Sequence, residues 1–92
     1  MPEPYKSTPE FDADSLPDAI RNSHSTKAGV WGLLVVTEGE VTLVFDDPAR
    51  ELRVRPGNPA VIPPQAVHRV ETDGPMQMHV EFYRERPQPQ KG

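Results

Sequence analysis

Cysteine is absent from the 92 residues, so neither a disulfide nor a thiolate metal site can brace the fold, which fits a reducing compartment. No apolar run approaches the ~20 residues of a membrane span. The opening Met1-Pro2-Glu3-Pro4-Tyr5-Lys6 lacks the apolar stretch of a signal peptide, so the expected location is the cytoplasm, with no membrane partner. Basic charge is also scarce. Ten Lys and Arg are scattered among fourteen carboxylates, for a net charge of -4, whereas phosphate backbones demand clustered cations. Nucleic acid is therefore excluded as a partner. Proline is the residue in excess, twelve in all, and it disfavours long helices while suiting short strands joined by turns.

Residues 1–14 mix Pro, Glu, Asp and Ser, with Tyr5, Phe11 and Ala13 as the apolar exceptions, and read as an extended arm lying either on the barrel or on a partner. Ser15-Leu16-Pro17-Asp18 is a helix-start signal, predicting one or two turns through Arg21 with Leu16 and Ile20 turned to the core. From Val30 to Val36 the chain is almost continuously apolar and short, as in a strand buried on both faces. Glu38-Gly39-Glu40 predicts a turn, with Val41, Leu43 and Phe45 on the return strand of a hairpin. Asp46-Asp47-Pro48-Ala49 predicts the next turn, before a strand carrying Leu52 and Val54. Ala60–Ile62, Val67–Glu71 and Met76–Tyr83 complete six strands, the last alternating Met76, Met78, Val80 and Phe82 against Gln77, His79, Glu81 and Tyr83. Residues 85–92 have nothing to bury and read as a disordered tail. The expected organisation is one small soluble all-β domain over residues 15–84, a sandwich or barrel.

A spacing inside this frame carries chemistry. Gly57 is followed after five residues by Pro63, and His68 comes five positions later. Glycine permits a tight turn, proline ends the strand, and the next strand delivers an imidazole from a rigid scaffold. This matches the second-half pattern of cupin barrels, with Gln65 in place of that pattern's second glycine. The first-half pattern is incomplete: Gly39 fits its closing glycine, Gly32 stands where a Glu is expected, and His24 lies slightly out of register. More specifically, His24-Ser25-Thr26-Lys27-Ala28-Gly29-Val30-Trp31-Gly32-Leu33, Gly39, Pro64-Gln65-Ala66-Val67-His68-Arg69-Val70-Glu71 and Phe82-Tyr83 resemble the TehB/YeaR-like cupin domain family, over roughly residues 5–84. The resemblance implies an all-β, cupin-like (jelly-roll, double-stranded β-helix) barrel linked to tellurite resistance. Some members are the N-terminal part of proteins in which a methyltransferase follows; others stand alone. No Gly-rich cofactor turn follows a strand here, so methyl transfer is not carried over from the resemblance.

His68 leads the candidate site residues, as a metal ligand or an oxyanion-contacting imidazole inside the barrel mouth, against the bland reading of a structural histidine bonded to backbone. His24 could join it in holding Zn or Fe if a further donor came near, or could simply cap its own loop. His79 shares a strand face with Gln77 and Glu81 and is expected to point outward; only the opposite orientation would make it a third ligand. Lys27 and Arg69 flank the two better histidines and could bind a small oxyanion, or else be surface charges paired with acids such as Glu71. Trp31 is assigned to the ligand-binding set with them, although its buried run also fits a core role. Gly29 and Gly32 are expected to serve close backbone packing.

Two functions follow from this reading. One is a binding or sensor module for a small oxyanion or metal in tellurite-type stress, using His68, His24, Lys27 and Arg69. The other is a small metal-dependent enzyme with His68 and His24 as ligands. No nucleophile–base pair is evident among the serines. Apolar strand surface at the rim of so small a domain points to a homodimer.

Overall fold

Period-two apolar alternation dominates the chain, and in a computed structural model it yields eight strands and one helical turn. Residues 3–46 and 48–88 are described. Asp47 in the expected turn and the last four residues of the expected tail lie outside them, as do Met1 and Pro2 of the arm. The elements are β1 (Lys6–Ser7), β2 (Phe11–Asp12), α1 (Asp18–Arg21), β3 (Trp31–Glu38), β4 (Val41–Asp46), β5 (Ala49–Val54), β6 (Ala60–Ile62), β7 (His68–Thr72) and β8 (Gln77–Tyr83).

Two antiparallel sheets result. In the larger, β8 lies between β3 and the arm strands, and β6 closes the far side of β3 in the order β1-β8-β3-β6, with β2 also on β8. The smaller has the order β5-β4-β7. The inward-pointing residues Leu34, Val36, Leu43, Val54, Met78 and Val80 meet between the sheets, and Leu34, Leu43, Val54 and Met78 are wholly buried. Leu16 seals one end of this core and Ile20 packs against it, as their spacing predicts.

Three expectations change. Among the described residues no ladder joins the two sheets, so an open two-sheet arrangement stands where a closed cupin-like barrel was expected. Second, β3 and β4 are not a hairpin: β3 pairs with β6 and β8, and β4 with β5 and β7. The Gly39 turn therefore carries the chain from one sheet to the other. Its φ of +70° is open to glycine at little cost, and the β3–β8 register slips between Val36 and Glu38 just before it. A turn and two alternating runs look the same in sequence whether the runs pair with each other or with strands further along.

Third, the arm lies on the domain, one of the two places expected for it, but as strands of the larger sheet. Lys6 pairs with Phe82 and Phe11 with Met78, so two-residue strands extend the larger sheet where proline spacing gave no strand signal. Ser15 does not cap α1, whose N-cap is Pro17. Its hydroxyl instead accepts the Asp12 N–H at 2.9 Å, while the Asp12 carboxylate accepts the N–H groups of Asp14 and Ser15. The Ser15 bonds and that of Asp14 hold the Asp12 carboxyl below its ordinary pKa. At the other end, Arg86 lies over the Trp31 ring and Pro87 is buried.

Candidate functional site

His68 opens β7, and His24 lies in the connection between α1 and β3. Their backbones exchange both hydrogen bonds of an antiparallel pair: His24 N–H to the His68 carbonyl at 2.9 Å, and His68 N–H to the His24 carbonyl at 2.8 Å. Directly opposed residues on such a pair stand side by side. The two imidazoles accordingly lie with centroids 4.2 Å apart and planes tilted by 56°.

Each ring is oriented by the carbonyl two residues before it. His68 Nδ1 is 2.7 Å from the Ala66 oxygen, and His24 Nδ1 is 3.0 Å from the Asn22 oxygen. A carbonyl only accepts, so Nδ1 carries a proton in both, and Nε2 is the nitrogen that holds a lone pair when the ring is neutral. Burial pushes the His68 pKa below its usual value; the Ala66 bond opposes this, nearby His24 adds to it, and Asp46 opposes it. The neutral imidazole is the favoured form. His68 is buried, yet among the described residues no buried side-chain nitrogen or oxygen lacks a partner, and none is bonded to its Nε2. That atom is therefore reachable from the open space beside it.

The open space is a cavity of about 430 Å³ between the sheets. Its walls include Ile20, Leu34, Ile62, Val70, Val80 and Phe82, with His24 and His68 among them and the exposed Tyr5, Lys6 and Lys27 at the rim. Gly32 on β3 lines it too, and a Cβ there would stand 3.3 Å from Ile62 Cβ. The tightness expected at Gly32 is thus present. At Gly29 it is not: nothing lies within 4 Å, and its φ of +78° is the reason glycine suits the turn.

One residue beside the site is strained. Gln65 has φ +63°, and it stands where the cupin pattern has a glycine. Its N–H reaches the Thr26 carbonyl and hydroxyl, both at 3.2 Å, which ties the β6–β7 turn to the segment carrying His24. A non-glycine residue in this region loses about 1–2 kcal/mol, and glycine returns part of that as chain entropy. Gln65→Gly should therefore raise stability by about 0.5–1 kcal/mol and Tm by roughly 3–6 °C in a thermal melt. An unchanged or lower Tm would show that the Gln65 side chain contributes more than the strain costs.

The remaining sequence candidates lie elsewhere. Arg69 turns to Glu71 at 3.0 Å and Asp46 at 3.6 Å, and neither it nor Trp31 lines the cavity. His79 is not in the lining either. Its Nε2 meets Glu81 at 2.9 Å and its Nδ1 meets Glu10 at 3.3 Å. Thr37 donates to Glu10, and the Tyr83 hydroxyl donates to Glu81 at 2.6 Å. Burial tends to raise the Glu81 carboxyl, but the bonds from Tyr83 and His79 outweigh it and leave its pKa lowered. The Tyr83 hydroxyl is pushed up to about 12 by burial and its carboxylate neighbour. This network fastens the arm to β8 and β3. The alternation of His79, Glu81 and Tyr83 on one strand face was its only signal in the sequence, since Glu10 and Thr37 come from distant segments.

A family model for the TehB-like domain matches residues 6–80. The chain is 36% identical over 72 residues to the probable S-adenosyl-L-methionine-dependent methyltransferase TehB of Haemophilus influenzae, a stretch covering 73% of this chain and 25% of that protein. It thus spans about a quarter of the length of the curated relatives it matches. The crystal structure of TehB from Haemophilus influenzae aligns with a TM-score of 0.79 at 30% identity, over 88% of this chain and 30% of that one. A crystal structure of an Escherichia coli protein gives 0.79 at 26% identity, over 95% of this chain and 93% of that one.

These findings correct the expected functions. Similarity runs to proteins named as methyltransferases dependent on S-adenosyl-L-methionine, which overturns both the oxyanion or metal sensor and the metal-dependent enzyme. Zn and Fe fall with them: among the described residues no three His, Cys, Asp or Glu side chains form a group that could hold a metal ion. His68 and His24 are two imidazoles with no third donor beside them, and His79 is committed to carboxylates outside the cavity. The two rings do not supply an oxyanion site, because their Nε2 atoms offer lone pairs where an anion needs donors, and the cations of the lining, Lys6 and Lys27, stand apart at the exposed rim.

S-adenosyl-L-methionine itself does not fit the cavity. It carries sulfonium and ammonium charges and a ribose diol, yet no Asp or Glu lines these walls and two lysines stand at the rim. All six strand pairings are antiparallel, so among the described residues there is no parallel strand–turn–helix unit of the kind that cradles a nucleotide cofactor. What the likeness in sequence, its extent along the chain and the shared backbone establish together is membership: this chain belongs to the TehB-like domain family.

Proposed function

We propose that this chain is a small-molecule-binding part of a TehB-type methyl-transfer system, holding an uncharged, largely apolar molecule between its two sheets while the methyl-transfer chemistry resides elsewhere. The observation that carries this reading is the cavity of about 430 Å³, whose walls include aliphatic and aromatic side chains and the close His24–His68 ring pair. The likeness to S-adenosyl-L-methionine-dependent methyltransferases supplies the context. The mismatch between the cavity walls and that cofactor supports a separate site for the methyl donor.

Benzofuran, neutral and without a hydrogen-bond donor, tests the cavity. It should stabilise the chain by about 2.7 kcal/mol at a hundredfold excess over its Kd. Val30→Trp, which places an indole ring into the same space, should abolish the effect. Stabilisation by S-adenosyl-L-methionine that disappears in Val30→Trp would overturn the proposal, as would indifference of the chain to benzofuran.

A further inference from the structure

The two imidazoles do more than break up an apolar wall. With each Nδ1 proton already given to a backbone carbonyl, the only hydrogen-bonding capacity left on either ring is an acceptor. Both acceptors belong to one tight cross-strand pair, and both residues line the cavity. The rings cannot readily rotate to present donors instead, because that would strand the Ala66 and Asn22 carbonyls. Two lone pairs so placed repel an anion and offer an apolar molecule nothing. They reward a ligand whose own N–H or O–H reaches them.

We infer that the His24–His68 pair selects, within the cavity of the proposed function on which this inference rests, a neutral ligand with an apolar body and a terminal hydrogen-bond donor. Aromatic N–H heterocycles and phenols are the simplest members of that class. Lys6 and Lys27 stand at the rim and add no acceptor, and the Thr26 hydroxyl is engaged with the Gln65 N–H and the Pro63 carbonyl. The Ser25 and Tyr5 hydroxyls, at exposed positions, are the other side-chain acceptors of the lining, and substitution of the two rings tells them apart. Phe45, whose ring centroid is 6.1 Å from that of His68, backs the pair with an apolar surface and supplies no competing donor.

Indole and benzofuran have nearly the same shape and differ in whether the five-membered ring carries N–H or O. Titration of each, read by thermal shift and isothermal calorimetry at pH 8, should give indole about a tenfold lower Kd, the worth of one hydrogen bond to an otherwise unpaired acceptor. His68→Phe keeps a ring and removes the acceptor, and should bring the two ligands to near-equal Kd by weakening indole alone. His24→Phe, at a half-buried position, gives the same comparison should the buried substitution not fold. Equal binding of both ligands by the unaltered chain sinks the donor inference and leaves the apolar cavity standing. Binding of neither removes the cavity reading together with it. A tenfold preference that survives both substitutions also overturns the assignment, since the donor is then recognised elsewhere.

Discussion

Replacing Gly39 by alanine should cost about 3–4 kcal/mol and lower Tm by at least 12 °C, a large fraction of the stability a 92-residue chain can have. Two causes add. The residue has φ +70°, where any side chain costs about 1–2 kcal/mol. A Cβ there would also run into the Pro75 carbonyl oxygen and lie 3.1 Å from Met76 Cα. Both are backbone neighbours that cannot swing aside, and Met76 is itself buried in the core. The crossing from the larger sheet to the smaller is thus packed directly on the entry to β8. Gly29→Ala is the matched control: φ is +78° and nothing lies within 4 Å, so only the left-handed penalty of about 1–2 kcal/mol applies. Chemical denaturation of the two variants separates strain from collision. Equal losses would show that the Pro75 contact yields freely and that the crossing is not fixed by it.

That crossing marks where legibility in the sequence ends. The six principal strands are readable because Leu43 and Met78 sit in runs that alternate apolar and polar residues, while Leu34 sits in a short continuous apolar run, and all three are buried accordingly. Pairing is not readable from alternation: a glycine turn between two apolar runs is equally consistent with a hairpin and with a step between sheets, and only the distant Pro75–Met76 segment decides. The arm shows the same loss of information. Two-residue strands such as Lys6–Ser7 take their identity from the β8 edge they lie against, and nothing in their own composition announces it. At the site, the Gly57–Pro63–His68 spacing does single out the imidazole that is buried, and His24 is brought to it. The tautomers that decide what the pair can bind depend on the Ala66 and Asn22 carbonyls. Those are backbone groups, invisible to any reading of side-chain types, and a metal or oxyanion is the natural inference without them.

The buried imidazole should also leave its mark on stability against pH. The folded-state pKa of His68 lies below its ordinary 6.5, chiefly through burial, so the unfolded chain takes up the proton first. Stability is then full above pH 6.5, declines as pH falls through that value, and stops declining once pH drops below the folded-state pKa. The slope contributed by one such proton cannot exceed about 1.4 kcal/mol per pH unit. His68→Leu removes the titration and orphans the Ala66 carbonyl. At pH 8 it should be less stable by about 1–3 kcal/mol, and the deficit should shrink as pH falls below 6.5. The groups that face position 68 are Asp46, present in both chains, and His24, whose like-charge coupling to the imidazole is lost in the variant. The depressed carboxyls of Glu40, Glu81 and Asp12 begin to lose their contributions only as pH falls through 4.5 and 3.8. Urea melts of both proteins across this range give the comparison directly. Parallel curves from pH 8 to 5 would mean that His68 is as easily protonated in the folded chain as in the unfolded one. The ring would then be a cation at mildly acidic pH, and its Nε2 would be a donor in place of the acceptor on which ligand selection depends.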